Sequence, residues 1–254
     1  MDANDFPTPE IPVVDGLTMA AVDEALTRLG FDLRQVMESA GRATAAFARA
    51  QFLSGDPRGS RVVILSGPGG NGGDGLVAAR WLHGWGAQVE VWLSSSPNPE
   101  HAISFAQFQI LQRMGIAIVE PVGRPHLPNA DLVIDALFGF NLHGPPTGAA
   151  KSLIEAANAH AGFKLAIDLP SGLDATEGIA YDPCFRADAT ITLALPKIGL
   201  LTAEAAEWVG QLALADIGIP PEALAMAGIS AAPIFAENEF IALIEDPEAS
   251  LDEP

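Results

Sequence analysis

RVVILSGPGGNGGDG, residues 61–75, joins an apolar β-branched run to a loop built largely of glycine. The first part reads as a buried strand. The GGDGLVAARWLHGWG that follows the loop's start reads as a helix ending at Gly84 or Gly86. Each glycine held in a regular element costs roughly 1 kcal/mol relative to alanine. Such a loop is therefore expected where backbone must approach something closely. Gly67-Pro68-Gly69-Gly70-Asn71-Gly72 satisfies G-x-G-x-x-G between a strand and a helix, the setting of a dinucleotide fingerprint. One feature argues against the standard version, and another against the P-loop alternative. The second strand, QVEVWL, ends in Ser94, Ser95 and Ser96 instead of the acid that would hold a ribose, and no Gly-Lys-Ser/Thr follows to make a P-loop. Two readings remain: a glycine nest at a helix N-terminus that offers N–H groups to a phosphate, or close strand–helix packing with no ligand.

The pattern repeats outward from this loop. QVEVWL (88–93), DLVIDAL (131–137), KLAIDL (164–169), DATITLAL (188–195) and QLALADIG (211–218) are short apolar strands, with helices expected over 101–114 and 148–161. This alternation predicts an α/β fold with a mostly parallel central sheet covered on both faces. Helical periodicity over 17–29 and 33–52 adds two N-terminal helices before the first strand. The chain divides into a flexible acidic N-terminus (1–16), one domain (17–230) and an acidic tail (231–254) that carries seven acids and no base.

Composition excludes several function classes. A formal net charge of −19 repels phosphate backbones and anionic headgroups, so neither nucleic acid nor membrane is an expected partner. The single cysteine, Cys184, rules out a disulfide framework or a cysteine metal cage and fits a reducing cytoplasm. The first residues carry no secretory signal pattern, and no apolar run reaches transmembrane length.

In a parallel sheet, ligands bind beyond the C-terminal ends of the strands. Four exits carry polar chemistry: the glycine loop, ALFGFNLHGPPTG after Asp135, LPSGLDATEG after Asp168, and PKIGL after the strand at 188–195. Asp135 lies inside an otherwise apolar strand and needs a partner there. Asn71, Asp135 and Ser171 are hard oxygen donors, suited to an alkali or alkaline-earth cation and not to zinc. Asp168, beside the Pro170-Ser171-Gly172 turn, is a candidate acid or base. Lys197 is a candidate anion partner at a strand exit, with a surface position expected. His143 reads as an ordinary loop residue, and Asp188 as a group that orders a strand entry.

These loops together resemble the NAD(P)H-hydrate epimerase family from about Leu17 to about Ile219. The resemblance rests on VMESAGRA (36–43), GPGGNGGDGLVAARWL (67–82), VIDALFGFNLHGPP (133–146), AIDLPSGLDATEG (166–178) and RADATITLALPKIGLL (186–201). It implies a Rossmann-like three-layer sandwich, usually a homodimer, that interconverts the R and S forms of hydrated NADH and NADPH. It further implies potassium held by Asn71, Asp135 and Ser171. Substrate contacts would come from Gly70, Asn71, Gly72, Gly73 and Asp74, from Gly139, Phe140, Asn141, Leu142, His143, Gly144 and Pro145, and from Asp168 as the catalytic acid–base. The family loop usually begins Asn-Asn-Gly-Gly-Asp-Gly, whereas this chain has Gly70 in place of the first asparagine. The dehydratase found fused to some members would have to come from another chain. The competing expectation is a catalytically degenerate member that serves as a dimeric nucleotide-binding or scaffold module.

Overall fold

The computed structural model describes residues 11–244; residues 1–10 and 245–254, the ends of the two expected acidic tails, lie outside the described part. The apolar runs become strands β1 (Arg61–Ser66), β2 (Gln88–Leu93), β3 (Ala117–Val119), β4 (Leu132–Ala136), β5 (Phe163–Ile167), β6 (Ala189–Leu193), β7 (Gln211–Ala215) and β8 (Phe240–Ile244). They form one sheet in the order β3-β2-β1-β4-β5-β6-β7-β8, parallel except for the antiparallel β7–β8 pair. The order reverses between β1 and β4, so a crevice opens past their C-terminal ends. Among the described residues no helix is long and apolar enough to cross a membrane.

Strand β1 shows why the sheet is covered twice. Val62 and Ile64 pack into the larger core with helix α3 (Gly70–Gly84), while Val63 and Leu65 pack into a second core with helix α5 (Gly148–Asn158). Successive side chains point to opposite faces, so a strand buried on both must be apolar throughout. The result is the expected Rossmann-like three-layer sandwich. Helix α4 (Ala102–Met114) joins the α3 layer through Leu111.

The two N-terminal helices are present as α1 (Gly16–Leu29), capped by Asp15, and α2 (Leu33–Phe52), capped by Asp32. Helix α2 lies so close to α3 that a Cβ on Gly41 would stand 2.4 Å from Val77 Cβ and 2.6 Å from the Asp74 carbonyl oxygen. Glu38 ties the pair by accepting from Arg80 and, at 2.9 Å, from Trp81 Nε1. Met19, Val22, Ala25 and Leu26 of α1 are buried, the last two against Ala223 of α7 (Pro221–Met226). These buried residues are thus covered within the chain, while Leu17, Leu29 and Leu33 of the same helices stay exposed.

Described residues of both acidic segments take part in the fold. Val14 pairs with Lys197 and donates to the Pro196 carbonyl at 2.9 Å. The region after Ala231 supplies β8, whose short apolar FIALI run lies among acids. Asp188 orders the entry of β5 by accepting from Lys164 N at 2.7 Å.

Candidate active site

One cavity of about 780 Å³ opens over the strand ends, walled by α1, α2, α3 and the start of α4. Gly70, Asn71, Asp74, Gly139, Phe140, Asn141, Leu142 and Asp168 line it. Gly72 and Gly73 sit behind that surface, and His143, Gly144 and Pro145 are not among the lining residues.

The glycine loop is built for close approach. A Cβ on Gly72 would stand 1.8 Å from the Gly67 carbonyl oxygen, and one on Gly75 would stand 2.5 Å from Ala136 Cβ. Gly73 faces Met37 and Ser104, whose hydroxyl donates to the Gly69 carbonyl at 2.8 Å. Ser66 Oγ donates inward to the Gly72 carbonyl at 3.1 Å. Packing therefore accounts for the buried glycines. Gly69 caps α3 without a side chain, which leaves the first N–H groups of the helix free of a protein cap at the cavity. Gly70 differs from its neighbours: a Cβ there meets nothing within 4 Å. Sterics do not impose the departure from asparagine.

The three hard-oxygen residues do come together. Ser171 donates to Asp135 from its N–H at 2.7 Å and from its hydroxyl at 2.8 Å, and Leu137 N donates at 3.1 Å. Phe138 N donates to Ser171 Oγ at 2.9 Å, and Asn71 Nδ2 donates to the Phe138 carbonyl at 2.8 Å. The Phe138 peptide thus links all three. Asp135 is fully buried, and burial pushes its carboxyl up to about 6 against those hydrogen bonds. Asn71 Oδ1 is buried with no hydrogen-bond partner. An orphaned amide oxygen costs about 1–3 kcal/mol, so its persistence on a side chain tied to the same Phe138 peptide as Ser171 fits a bound cation. The donors are all oxygen, which suits a hard ion. Among the described residues no cluster of three or more His, Cys, Asp or Glu forms a metal site.

Asp168 holds the centre. It follows β5 with φ 67°, and Ala194 follows β6 with φ 64°; each is spanned by an i→i+2 bond, Leu169 N to the Ile167 carbonyl at 2.8 Å and Leu195 N to the Leu193 carbonyl at 2.7 Å. Positive-φ γ-turns at residues other than glycine are strained by about 1–3 kcal/mol and tend to cluster at functional sites. Asp168 Oδ1 accepts from Lys197 Nζ, and Oδ2 accepts from Phe140 N at 3.3 Å. Lys197 is 1% exposed, bonded also to the Leu193 carbonyl at 2.9 Å and Thr192 Oγ1 at 3.4 Å. The surface position expected for this lysine is therefore wrong. Its partner lies 29 residues earlier in the chain, so no local pattern announces the pair.

Three further acids line the cavity: Asp23, Asp74 and, just before α4, Glu100. Burial, reinforced by the Asp168 and Asp23 carboxylates and opposed by Lys197, pushes the Asp74 carboxyl well above the usual range. Asp23 of α1 was not singled out by sequence reasoning. Yet it stands four residues after Met19 and three before Leu26, on the helix's buried stripe, where an acid is itself a signal.

The chain matches the family described as YjeF-related protein N-terminus over residues 33–199. It is 39% identical over 220 residues to the NAD(P)H-hydrate epimerase of Dehalogenimonas lykanthroporepellens, covering 86% of this chain and 85% of that one. It is 38% identical over 197 residues to the bifunctional NAD(P)H-hydrate repair enzyme Nnr of Moorella thermoacetica. That match covers 75% of this chain and only 37% of the Moorella protein. The crystal structure of yeast ynu0, YNL200c, superposes with a TM-score of 0.75 at 23% identity, over 92% of this chain and 100% of the yeast one.

Proposed function

The chain belongs to the YjeF-related protein N-terminus family, and we propose that it is an isomerase that interconverts the R and S forms of hydrated NADH and NADPH. One observation carries the proposal. A helix N-terminus without a side-chain cap, an unpartnered buried amide oxygen and a strained aspartate paired to a buried lysine converge on a single cavity. An inert scaffold has no use for the strain at Asp168.

The substrate carries a hydroxyl at C6 of the reduced nicotinamide ring, next to N1. Epimerisation breaks the C6–O bond with a push from the N1 lone pair, which yields water and a flat cationic ring. Water then adds to the other face and loses a proton. Asp168 is the acid–base group on the ring face it meets, giving a proton to a hydroxyl that departs from that face or taking one from a water that returns to it. The carboxylates of the cavity stabilise the cationic ring, and Lys197 fixes the position of Asp168. The first N–H groups of α3 hold the pyrophosphate, so the ring is presented in a fixed geometry. Asn71, Asp135 and Ser171 would hold a potassium ion, which supplies positive charge beside that pyrophosphate. A homodimer, with an ADP/ATP-dependent hydrate dehydratase as its functional partner, belongs to the same reading.

The test is incubation with purified R-hydrate of NADH, following the S-hydrate by chromatography. The enzyme should accelerate its appearance over the spontaneous rate. Asp168→Asn should remove the acceleration; a folded Asp168→Asn protein at the wild-type rate refutes the assigned role.

A further inference from the structure

Epimerisation sends the hydroxyl out from one face of the ring and brings water back to the other. A single carboxylate fixed on one wall serves one of those faces. Asp168 is so fixed: it rises from the strand-end floor after β5, turned by a strained γ-turn and gripped by Lys197. A second group on a different wall would complete the chemistry.

Asp23 meets that description. It stands on α1, a wall distinct from the strand-end floor, and lines the same cavity as Asp168, Asp74 and Lys197. The start of α1 is pinned over the floor, since Val14 pairs with Lys197 and a Cβ on Gly16 would stand 3.3 Å from the Phe140 carbonyl oxygen. Met19, one turn before Asp23, lines the cavity as well, so this face of the helix looks inward. The groups whose charge reaches Asp23 are Lys197 and Asp168, and its own charge reaches Asp74. Glu100 and His101 lie at the α4 rim of the same cavity.

We propose that Asp23 is the second acid–base group of this reaction, serving the ring face that Asp168 does not. The inference rests on the epimerase reading above. In one direction Asp23–COOH gives its proton to the C6 hydroxyl, the C6–O bond breaks with its electron pair leaving as water, and N1 bears the positive charge. A water on the opposite face then forms the new C6–O bond and gives its proton to the Asp168 carboxylate. The reverse direction exchanges the two roles, so the pair must hold one proton between them. Burial, with the Asp168 carboxylate adding to it and Lys197 opposing, pushes the Asp23 carboxyl up to about 6, which keeps a proton available near neutrality.

Asp23→Asn should fold, keep the wild-type KM and lose about 100-fold or more in kcat, the range of a lost general acid. The wild-type rate should fall as pH climbs past about 6, and this limb should vanish from the residual activity of the variant. Asp23→Glu, which keeps the carboxyl but moves it by a methylene, should retain the limb and lose at least 10-fold in kcat. If Asp23→Asn fails to fold, Asp23→Glu decides the matter. A folded variant with wild-type kcat and an unchanged pH profile overturns the inference and leaves the epimerase reading intact. A wild-type protein that does not accelerate epimerisation overturns both.

Discussion

Lys197→Met should destabilise the protein by about 3–5 kcal/mol, the cost of leaving one charge of a buried pair without its partner. Burial sets that magnitude. The side chains of Lys197 and Asp168 are 1% and 7% exposed, and the ammonium also bonds the Leu193 carbonyl at 2.9 Å. Methionine fills the stem's volume but leaves the carboxylate with only the Phe140 N–H, at 3.3 Å, among its described partners. For a chain of 254 residues a loss of this size lowers Tm by roughly 10 °C. Differential scanning calorimetry and urea titration of four proteins measure it: wild type, Lys197→Met, Asp168→Asn and the double variant. The double variant should be more stable than Lys197→Met alone, because it removes the stranded charge. Arg58 and Asp56 provide the contrast, as an ion pair whose side chains are 79% and 50% exposed, and Arg58→Ala should leave Tm unchanged. A Lys197→Met loss under about 1 kcal/mol, or a double variant no better than the sum of the singles, refutes the reasoning.

Potassium chloride should raise Tm above the value in N-methylglucamine chloride at equal ionic strength, and Asn71→Ala should abolish the difference because Asn71 Oδ1 is the buried oxygen without a partner. Calorimetry in the two salts reads it. The loop glycines should divide sharply. Gly72→Ala, whose methyl would stand 1.8 Å from the Gly67 carbonyl oxygen, should lose about 3 kcal/mol or fail to fold. Gly70→Asn, which meets nothing within 4 Å, should fold at wild-type Tm and, by adding one hydrogen bond to substrate, lower KM by up to about 10-fold.

The fold is readable because its strands are buried on both faces and so must be runs such as VVIL and LVID, bounded by glycine and proline. The loop after β1 is readable for a related reason: close packing of strand, loop and helix leaves no room for a Cβ at Gly67, Gly72, Gly73 or Gly75. What sequence hides is long-range pairing. The partner of Lys197 lies at the exit of the neighbouring strand, and the Phe138 peptide that joins Asn71 to Ser171 is visible only once β1, β4 and β5 lie side by side. Strand β8 was masked by composition. It is an edge strand with part-exposed side chains, so FIALI had no burial pattern strong enough to stand out among surrounding acids.

The electrostatics of the cavity unite features that otherwise look opposed. Its lining carries Asp23, Asp74, Glu100 and Asp168 against Lys197 and His101, in a chain of net charge −19. Lys197 is already paired, so side chains offer little to the two negative charges of a pyrophosphate. In the proposed reaction, recognition of that group would fall to uncapped N–H groups of α3 and to a cation drawn in by the same carboxylates that oppose the phosphate. The ring at the other end of the proposed substrate would become cationic as its hydroxyl leaves, and there the acidic lining would be an advantage. An excess of carboxylates is thus a cost at the diphosphate and a gain at the reacting carbon. In the proposed function, the glycine loop and a bound cation reconcile the two within one cavity.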